Sequence, residues 1–425
     1  MVKLVYPVLL LPLFYRVSVI LKDGSLNDGF IALIVLYALS LPKHATMPAI
    51  NLILPALFLS FFIAVLLLSK KNRTVSEIIL SGYFLTTAFI VLLAYLEMVN
   101  RNNGYQWPWL IHASTPFIFL LGPFMWLYTR SLTGQHFIPK LSWLVHIVPF
   151  VFMLVLLTTK IYAQPAEAKI LREQTGSFRQ DWTYPFVMSM IALSNVGYTV
   201  WSLLLIKRFR GKIKAYFSNV EGRDLSWLYF LLWSALVCYV AVSGLYLLNT
   251  AFQLLSYHTM QMAGYTVISL FILVLGFYGF RQGNVFASVP VAVDLDHSQA
   301  PDELEPDISS EEEAFVSKLL NFMQEKKPHH DPDLTLAGLS QLLGVQPEYL
   351  SRILNRKIGM HFFDFVNNYR IEDFKALCRE KRFSKYTLLG MAYDCGFNSK
   401  ATFNRVFKNA TGLTPGDYAQ SVKEK

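Results

Sequence analysis

Two stretches near the end of the chain place arginine, asparagine and lysine on one face of a helical repeat. The first holds Glu348, Ser351, Arg352, Asn355 and Arg356, with Lys357 beside them, and the second holds Lys400, Ala401, Asn404, Arg405 and Lys408. A guanidinium can pair bidentately with the O6 and N7 acceptors of guanine, a carboxamide with adenine, and an ammonium with a phosphate. The chemistry these faces could perform is recognition of double-stranded DNA through the major groove. One such face alone also describes an ordinary solvated helix, so the weight rests on there being two.

The elements that would carry these faces form a duplicated pattern. Thr335, Leu336, Gly338 and Gly344 recur as Thr387, Leu388, Gly390 and Gly396, each 52 positions later. After one inserted residue, Arg352, Gly359 and Asp364 recur 53 positions later as Arg405, Gly412 and Asp417. Each copy reads as a threonine N-cap, a short apolar helix, a turn containing glycine, and a second helix. This is the outline of a helix-turn-helix, present twice. In the first copy Pro347 suits the first position of its second helix, and Tyr349, Leu350, Ile353 and Leu354 form the inward face; in the second copy Phe403, Val406, Phe407 and Ala410 do so. A helix over 362–379 should join the copies. Eighteen residues at about 1.5 Å each span about 27 Å, near the roughly 34 Å repeat of the major groove. From Val345 to Thr411 there are twelve Lys plus Arg against six acids, so binding to DNA should weaken steeply with salt.

The stretch from Leu334 to Tyr418 resembles the DNA-binding domain of the AraC/XylS-type bacterial transcriptional regulators. It reads LTLAGLSQLLGVQPEYLSRILN, then YRIEDFKAL, then MAYDCGFNSKATFNRVFKNATGLTPGDY. The last segment is similar to the family signature at Gly396, Phe397, Ser399, Phe403, Arg405, Phe407, Lys408, Gly412, Thr414, Pro415 and Tyr418. The resemblance implies two helix-turn-helix units on an asymmetric site, with Glu348, Ser351, Arg352, Lys400, Ala401, Asn404 and Arg405 at the base-facing positions. Arg356, Lys357 and Lys408 are the phosphate candidates. It also implies RNA polymerase as a partner. Gly338 and Gly390 depart from the pattern, at a cost of up to about 1 kcal/mol each inside a helix, and Ala419 stands where a basic residue is frequent. Glu348 and Ala401 are weak base contacts by their own chemistry.

The segment before this domain is acidic. From Gln282 to Ser317 there is no Lys or Arg, and there are nine acids: Asp294, Asp296, Asp302, Glu303, Glu305, Asp307, Glu311, Glu312 and Glu313. A solvated tether is one reading; a segment competing with DNA phosphates for the basic domain is the other. Ser310 and Glu313 form a capping-box pattern, so a connecting helix is expected over 310–327, with a broad apolar stripe around Phe315, Leu319 and Phe322.

Everything earlier has another composition. The whole chain of 425 residues is 54% hydrophobic and only 16% charged, which excludes a single soluble domain of ordinary make-up. Seven apolar runs, over 48–69, 75–98, 110–129, 141–162, 183–206, 225–248 and 260–280, have the roughly 20 residues needed to cross a bilayer core. The alternating loops carry twelve basic residues on one side (Lys70, Lys71, Arg73, Arg130, Lys140, Lys207, Arg208, Arg210, Lys212, Lys214, Arg223, Arg281) and five on the other (Arg101, Lys160, Lys169, Arg172, Arg179). The richer side should be cytoplasmic, which puts the C-terminal domain inside. Residues 1–46 are an extension that reads as a signal-like segment, as a hairpin raising the count to nine spans, or as sequence upstream of a start at Met47.

Catalytic and transport signatures are not evident. There is no HExxH and no cluster with metal-ligand spacing; Glu97 lies near a run end, and His112 and His146 read as isolated ionisable groups; Cys238, Cys378 and Cys395 make no disulfide framework. The expectation is an all-α, non-enzymatic regulator needing no cofactor. It has the extension 1–46, a seven-helix transmembrane domain 47–281 (nine helices with the hairpin), an acidic linker 282–309, a connecting helix 310–327 and a double helix-turn-helix domain 328–425. Expected partners are double-stranded DNA, membrane lipid, a small-molecule or extracellular ligand touching the outer loop 160–181, and a second copy of the chain. The expected location is the inner membrane of a bacterium. Two alternatives stay open: a transporter or membrane enzyme with an accessory DNA-binding tail, and a transcription factor released by proteolysis.

Overall fold

Short polar signals between apolar runs set where the helices of the first half begin. Thr74 caps the helix that starts at Val75, its hydroxyl accepting from Glu77 N while the Glu77 carboxylate accepts from Thr74 N, a reciprocal capping box. The structure is a computed structural model that describes residues 53–134, 141–220, 225–252, 255, 257–281, 310–380 and 386–423. The expectations for residues 1–46 and for the linker 282–309 lie outside the described residues, as do Lys140 and Arg223.

Among the described residues every named element is helical, as the all-α expectation requires. The chain divides into two compact units: the described residues of Met1–Leu205 with Trp227–Ser288, and those of Ile206–Ser226 with Val289–Lys425. The first contains α1 (Ile53–Ser69), α2 (Val75–Asn102), α3 (Leu121–Thr133), α4 (Val148–Leu157), α5 (Ala166–Thr175), α7 (Ser226–Phe252) and α8 (Tyr257–Arg281). Helix α6 (Thr183–Tyr216) contributes its beginning to the first unit and its last turns to the second. In the first unit α1 packs on α2 and α8, and α2 packs on α3. Two glycines allow close helix approach: a Cβ at Gly82 would lie 2.8 Å from the Phe124 ring, and one at Gly122 would lie 2.8 Å from Tyr198. Small residues at such crossings are how apolar helices pack without a solvent driving force. The outward faces stay apolar, with Phe58, Phe61, Val145, Leu193 and Val240 exposed.

Four helical stretches among the described residues are long and apolar enough to cross a membrane: Val75–Asn102, Leu141–Tyr162, Thr183–Tyr216 and Ser226–Thr250. This is fewer than the seven or nine expected, and in run 110–129 the break has a local cause. Run 48–69 gives the 17-residue α1. Run 110–129 is broken, because Pro108 and Pro116 start separate short 3₁₀ turns and His112 adopts a positive φ of 58°, so α3 begins only at Leu121. Run 260–280 lies in α8, whose described apolar stretch is Thr259–Ile272.

The second unit contains α9 (Ser310–Lys326), α10 (Leu336–Leu343), α11 (Pro347–Ile353), α12 (Phe362–Arg379), α13 (Leu388–Asp394), α14 (Lys400–Thr411) and α15 (Pro415–Lys423). Two apolar cores hold it together. The first gathers Leu319 and Met323 of α9, Leu336 and Leu339 of α10, Leu350 of α11 and Phe365 of α12. The second gathers Ile371 and Phe374 of α12, Met391 of α13, and Phe403 and Phe407 of α14. Helix α12 feeds both.

Candidate nucleic-acid interface

The paired helices are built by the same local devices in both halves of the second unit. Thr335 Oγ1 accepts from Gly338 N at 3.0 Å, and Thr387 Oγ1 accepts from Gly390 N at 3.0 Å. A Cβ at either glycine would stand 3.3 Å or 3.1 Å from that capping hydroxyl. The two glycines that read as departures therefore keep space around the cap. The turn between α10 and α11 passes through Gly344, and that between α13 and α14 through Gly396. Gly396 is doubly required: its φ is 93°, and a Cβ there would fall 2.3 Å from the His329 carbonyl oxygen.

With Leu350, Ile353 and Leu354 buried, α11 turns Glu348 and Arg352 outward, the π turn Leu354–Ile358 that follows it exposes Asn355, Arg356 and Lys357, and Ser351 is half-buried. With Phe403 and Phe407 buried, α14 exposes Lys400, Ala401, Asn404, Arg405 and Lys408 on one side. Ala410, expected to face inward, is exposed, because the core under α14 ends at Phe407. Helix α14 is capped by Ser399, whose Oγ accepts from Thr402 N at 3.4 Å, and it ends at Gly412, in the left-handed conformation. Each face is thus a mainly basic and amide strip backed by an apolar core, the arrangement that positions side chains for base edges and phosphates.

Known proteins bear on the same region. A family model described as a helix-turn-helix domain matches residues 339–421. An uncharacterized HTH-type transcriptional regulator of Staphylococcus aureus (strain COL) is 34% identical over 90 residues, 21% of this chain and 12% of that protein. The uncharacterized HTH-type transcriptional regulator YtdP of Bacillus subtilis (strain 168) is 31% identical over 97 residues, 22% of this chain and 12% of that protein. The chain carries an AraC-type helix-turn-helix domain at its C-terminus. The match spans about an eighth of the length of these relatives, and no solved structure matches the chain.

Two charged contacts around the AraC-type domain were not legible in the sequence. Glu312 of α9 reaches across to α11 and its following turn, with its carboxylate 3.8 Å from Arg352 Nη2 and 3.0 Å from Lys357 Nζ. One of the nine acids counted before the domain thus lies on two DNA-contact candidates. On α12, the Asp373 carboxylate is shared by Lys327 Nζ at 3.1 Å, His329 Nε2 at 3.0 Å and His330 Nε2 at 2.6 Å. A cation could use such a grouping of two imidazoles and a carboxylate, but the Lys327 ammonium already sits on the same oxygen, and the geometry is that of one acceptor with three donors.

In the first unit His112 is not isolated. Its Nε2 lies 2.9 Å from Glu173 of α5, its Nδ1 lies 4.0 Å from Glu97 of α2, and Arg101 is 3.9 Å from Glu173. His146 bonds the Tyr198 hydroxyl at 2.8 Å. The partners are far apart in sequence, so no spacing motif announces them.

Proposed function

We propose that the chain is a membrane-embedded transcription regulator whose C-terminal unit binds a specific DNA site through two helix-turn-helix pairs. The observation that carries this reading is the pair of exposed basic faces on α11 and α14, mounted on apolar cores inside an AraC-type domain, in a chain that also holds four helices of membrane length. Arg352, Asn404 and Arg405 read base edges together with Ser351 and Lys400, while Arg356, Lys357 and Lys408 hold phosphates. Glu348 and Ala401 occupy base-facing positions and contribute least. The apolar helices of the first unit form the transmembrane domain, embedded in lipid of a bacterial inner membrane, with the basic loops and the DNA-binding unit in the cytoplasm. RNA polymerase and a second copy of the chain are its proposed protein partners, and the chain needs no cofactor.

The membrane unit acts as the sensor or anchor. Its group of Glu97, Arg101, His112 and Glu173, in which both carboxylates are buried, ties α2 to the outer helix α5, and buried carboxylates paired in this way are costly to keep without a task. That observation favours a sensing role for an external small molecule. The Glu312 contact supports a restrained state in which an acid holds one base-reading and one phosphate-holding side chain, Arg352 and Lys357, until the signal arrives.

A C-terminal green-fluorescent-protein fusion should glow and sediment with membranes after a high-salt wash. The same full chain in lipid nanodiscs should enrich one sequence from a randomised duplex pool. A dark fluorescent fusion beside an active C-terminal alkaline-phosphatase fusion, or no enrichment above a scrambled pool, would remove the reading.

A further inference from the structure

The segment that follows α6 is part of the DNA-binding unit. The described residues of Ile206–Ser226 belong to the same compact unit as the C-terminal domain, although they stand more than a hundred positions before it. Ile213, Phe217, Ser218, Asn219 and Val220 are buried, and Tyr216 packs against the first apolar core. Phe217 and Thr335 form an antiparallel bridge, so the segment runs beside the residues that start α10.

Ser218 is the centre of this contact and has no solvent exposure. Its N–H donates to the Leu334 carbonyl at 3.3 Å, and its hydroxyl donates to the same carbonyl at 2.6 Å. On the other side, Asn367 Nδ2 donates to the Ser218 carbonyl at 3.0 Å. Arg370 donates to that carbonyl from Nη1 at 3.5 Å and to the Ser218 hydroxyl from Nη2 at 3.2 Å. The Arg370 guanidinium is 1% exposed, and its other acceptors are the His329 carbonyl at 2.7 Å, the Asp331 carbonyl at 2.7 Å and Asn367 Oδ1 at 3.3 Å. A buried guanidinium keeps its charge only when its donors are satisfied. Ser218 supplies two of the five acceptors.

We propose that the surface formed by Leu334, Asn367 and Arg370 is an intramolecular docking socket for the Phe217–Val220 segment, and that through this socket α6 sets the position of the DNA-reading helices. The first clause stands on the contacts above; the second rests on the reading of the C-terminal unit as a DNA binder and of α6 as a membrane helix. Helix α6 is continuous from Thr183 to Tyr216, so a rotation or a shift along its axis is delivered to Ser218 one residue past Phe217. From Ser218 the route is short. Arg370 holds the His329 and Asp331 carbonyls, and the His329 backbone lies against Gly396, in the turn before α14. The end of α6 also faces the reading surface: Lys214 lies over the Phe363 ring at 5.6 Å and lines one groove with Asp364, Asn368 and Arg405. The input to the DNA-binding unit therefore runs through the loop between α6 and α7, in addition to the covalent tether before α9.

The test uses the full chain in lipid nanodiscs, followed by hydrogen–deuterium exchange of peptides covering 214–220, 335–343 and 400–411. In the wild type the 214–220 amides should exchange slowly. Ser218→Trp, which forces a large ring into a site without space, should speed exchange in 214–220 and 335–343 at least tenfold while 400–411 keeps its protection. Ser218→Ala and Arg370→Lys, milder variants that keep size or charge, should give intermediate rates. Equal and fast exchange of 214–220 in the wild type and in Ser218→Trp would overturn the docking. Binding of the selected duplex separates this result from the functional reading. An unprotected loop with intact DNA binding removes the socket alone, whereas a protected loop with no DNA binding leaves the socket and removes the function. If docking and DNA binding both hold but Ser218→Ala leaves affinity for the selected duplex within twofold of wild type, the role of α6 as an input is overturned.

Discussion

At the residue scale the account turns on which side chains meet DNA and which hold the frame. Arg405 is exposed on α14 and backed by Phe403 and Phe407, so Arg405→Ala should cost about 1–3 kcal/mol on the selected duplex and relax preference at one base pair. Lys408→Ala should weaken all duplexes alike and lower the slope of log affinity against log salt by about 1. Fluorescence anisotropy over a salt series reads both. Asp373 belongs to the frame. Burial raises the pKa of its carboxyl, but the donors His329, His330 and Lys327 outweigh that and hold it down to about 2. Burial, against the pull of Asp373, keeps His329 below the ordinary histidine range. The two signs agree: in the unfolded chain the histidine takes a proton near pH 6.5 and the aspartate near pH 4, each before its folded counterpart, at about these reference values. The unit should be most stable above about pH 6.5 and lose on the order of 1–2 kcal/mol as pH falls toward about 2. Asp373→Asn should flatten the aspartate part of that slope, read by exchange of the α12 amides across pH.

At the element scale, caps, turns and the contacts between helices decide how the faces are presented. Gly396→Ala combines a left-handed backbone with a Cβ 2.3 Å from a carbonyl oxygen; it should cost more than about 2 kcal/mol and lower the melting temperature of the unit. Glu312→Gln removes an acid from Arg352 and Lys357 and should raise DNA affinity severalfold at low salt; equal affinity would remove the restraining role of α9. The repeated cap, glycine and apolar spacings were legible because they are local: Thr335 and Thr387 cap as the pattern requires, and α12 spans Phe362–Arg379 as expected. Contacts without periodicity were not. Ser218 and Asn367 are 149 residues apart, and a serine in a short polar loop carries no sign of the arginine it will satisfy. Run 110–129 misled because hydropathy ignores backbone: its prolines and the positive φ of His112 break what composition presents as one span.

At the scale of the whole molecule, composition divided the chain into an apolar part and a charged part, and the compact units follow that division except in one place. The loop after α6 lies with the charged part, which hydropathy could place only between two spans. The relatives share about a fifth of the chain. Genome-wide crosslinking of the tagged full-length protein in its own cells, with Arg405→Ala beside it, puts membrane attachment and DNA reading to one trial. Discrete peaks are expected that hold two short elements about one helical turn of DNA apart, recovered from the membrane-bound chain and lost in the variant. Peaks that survive Arg405→Ala, or no enrichment from the intact chain while its membrane association is confirmed, would contradict DNA reading by the membrane-bound chain.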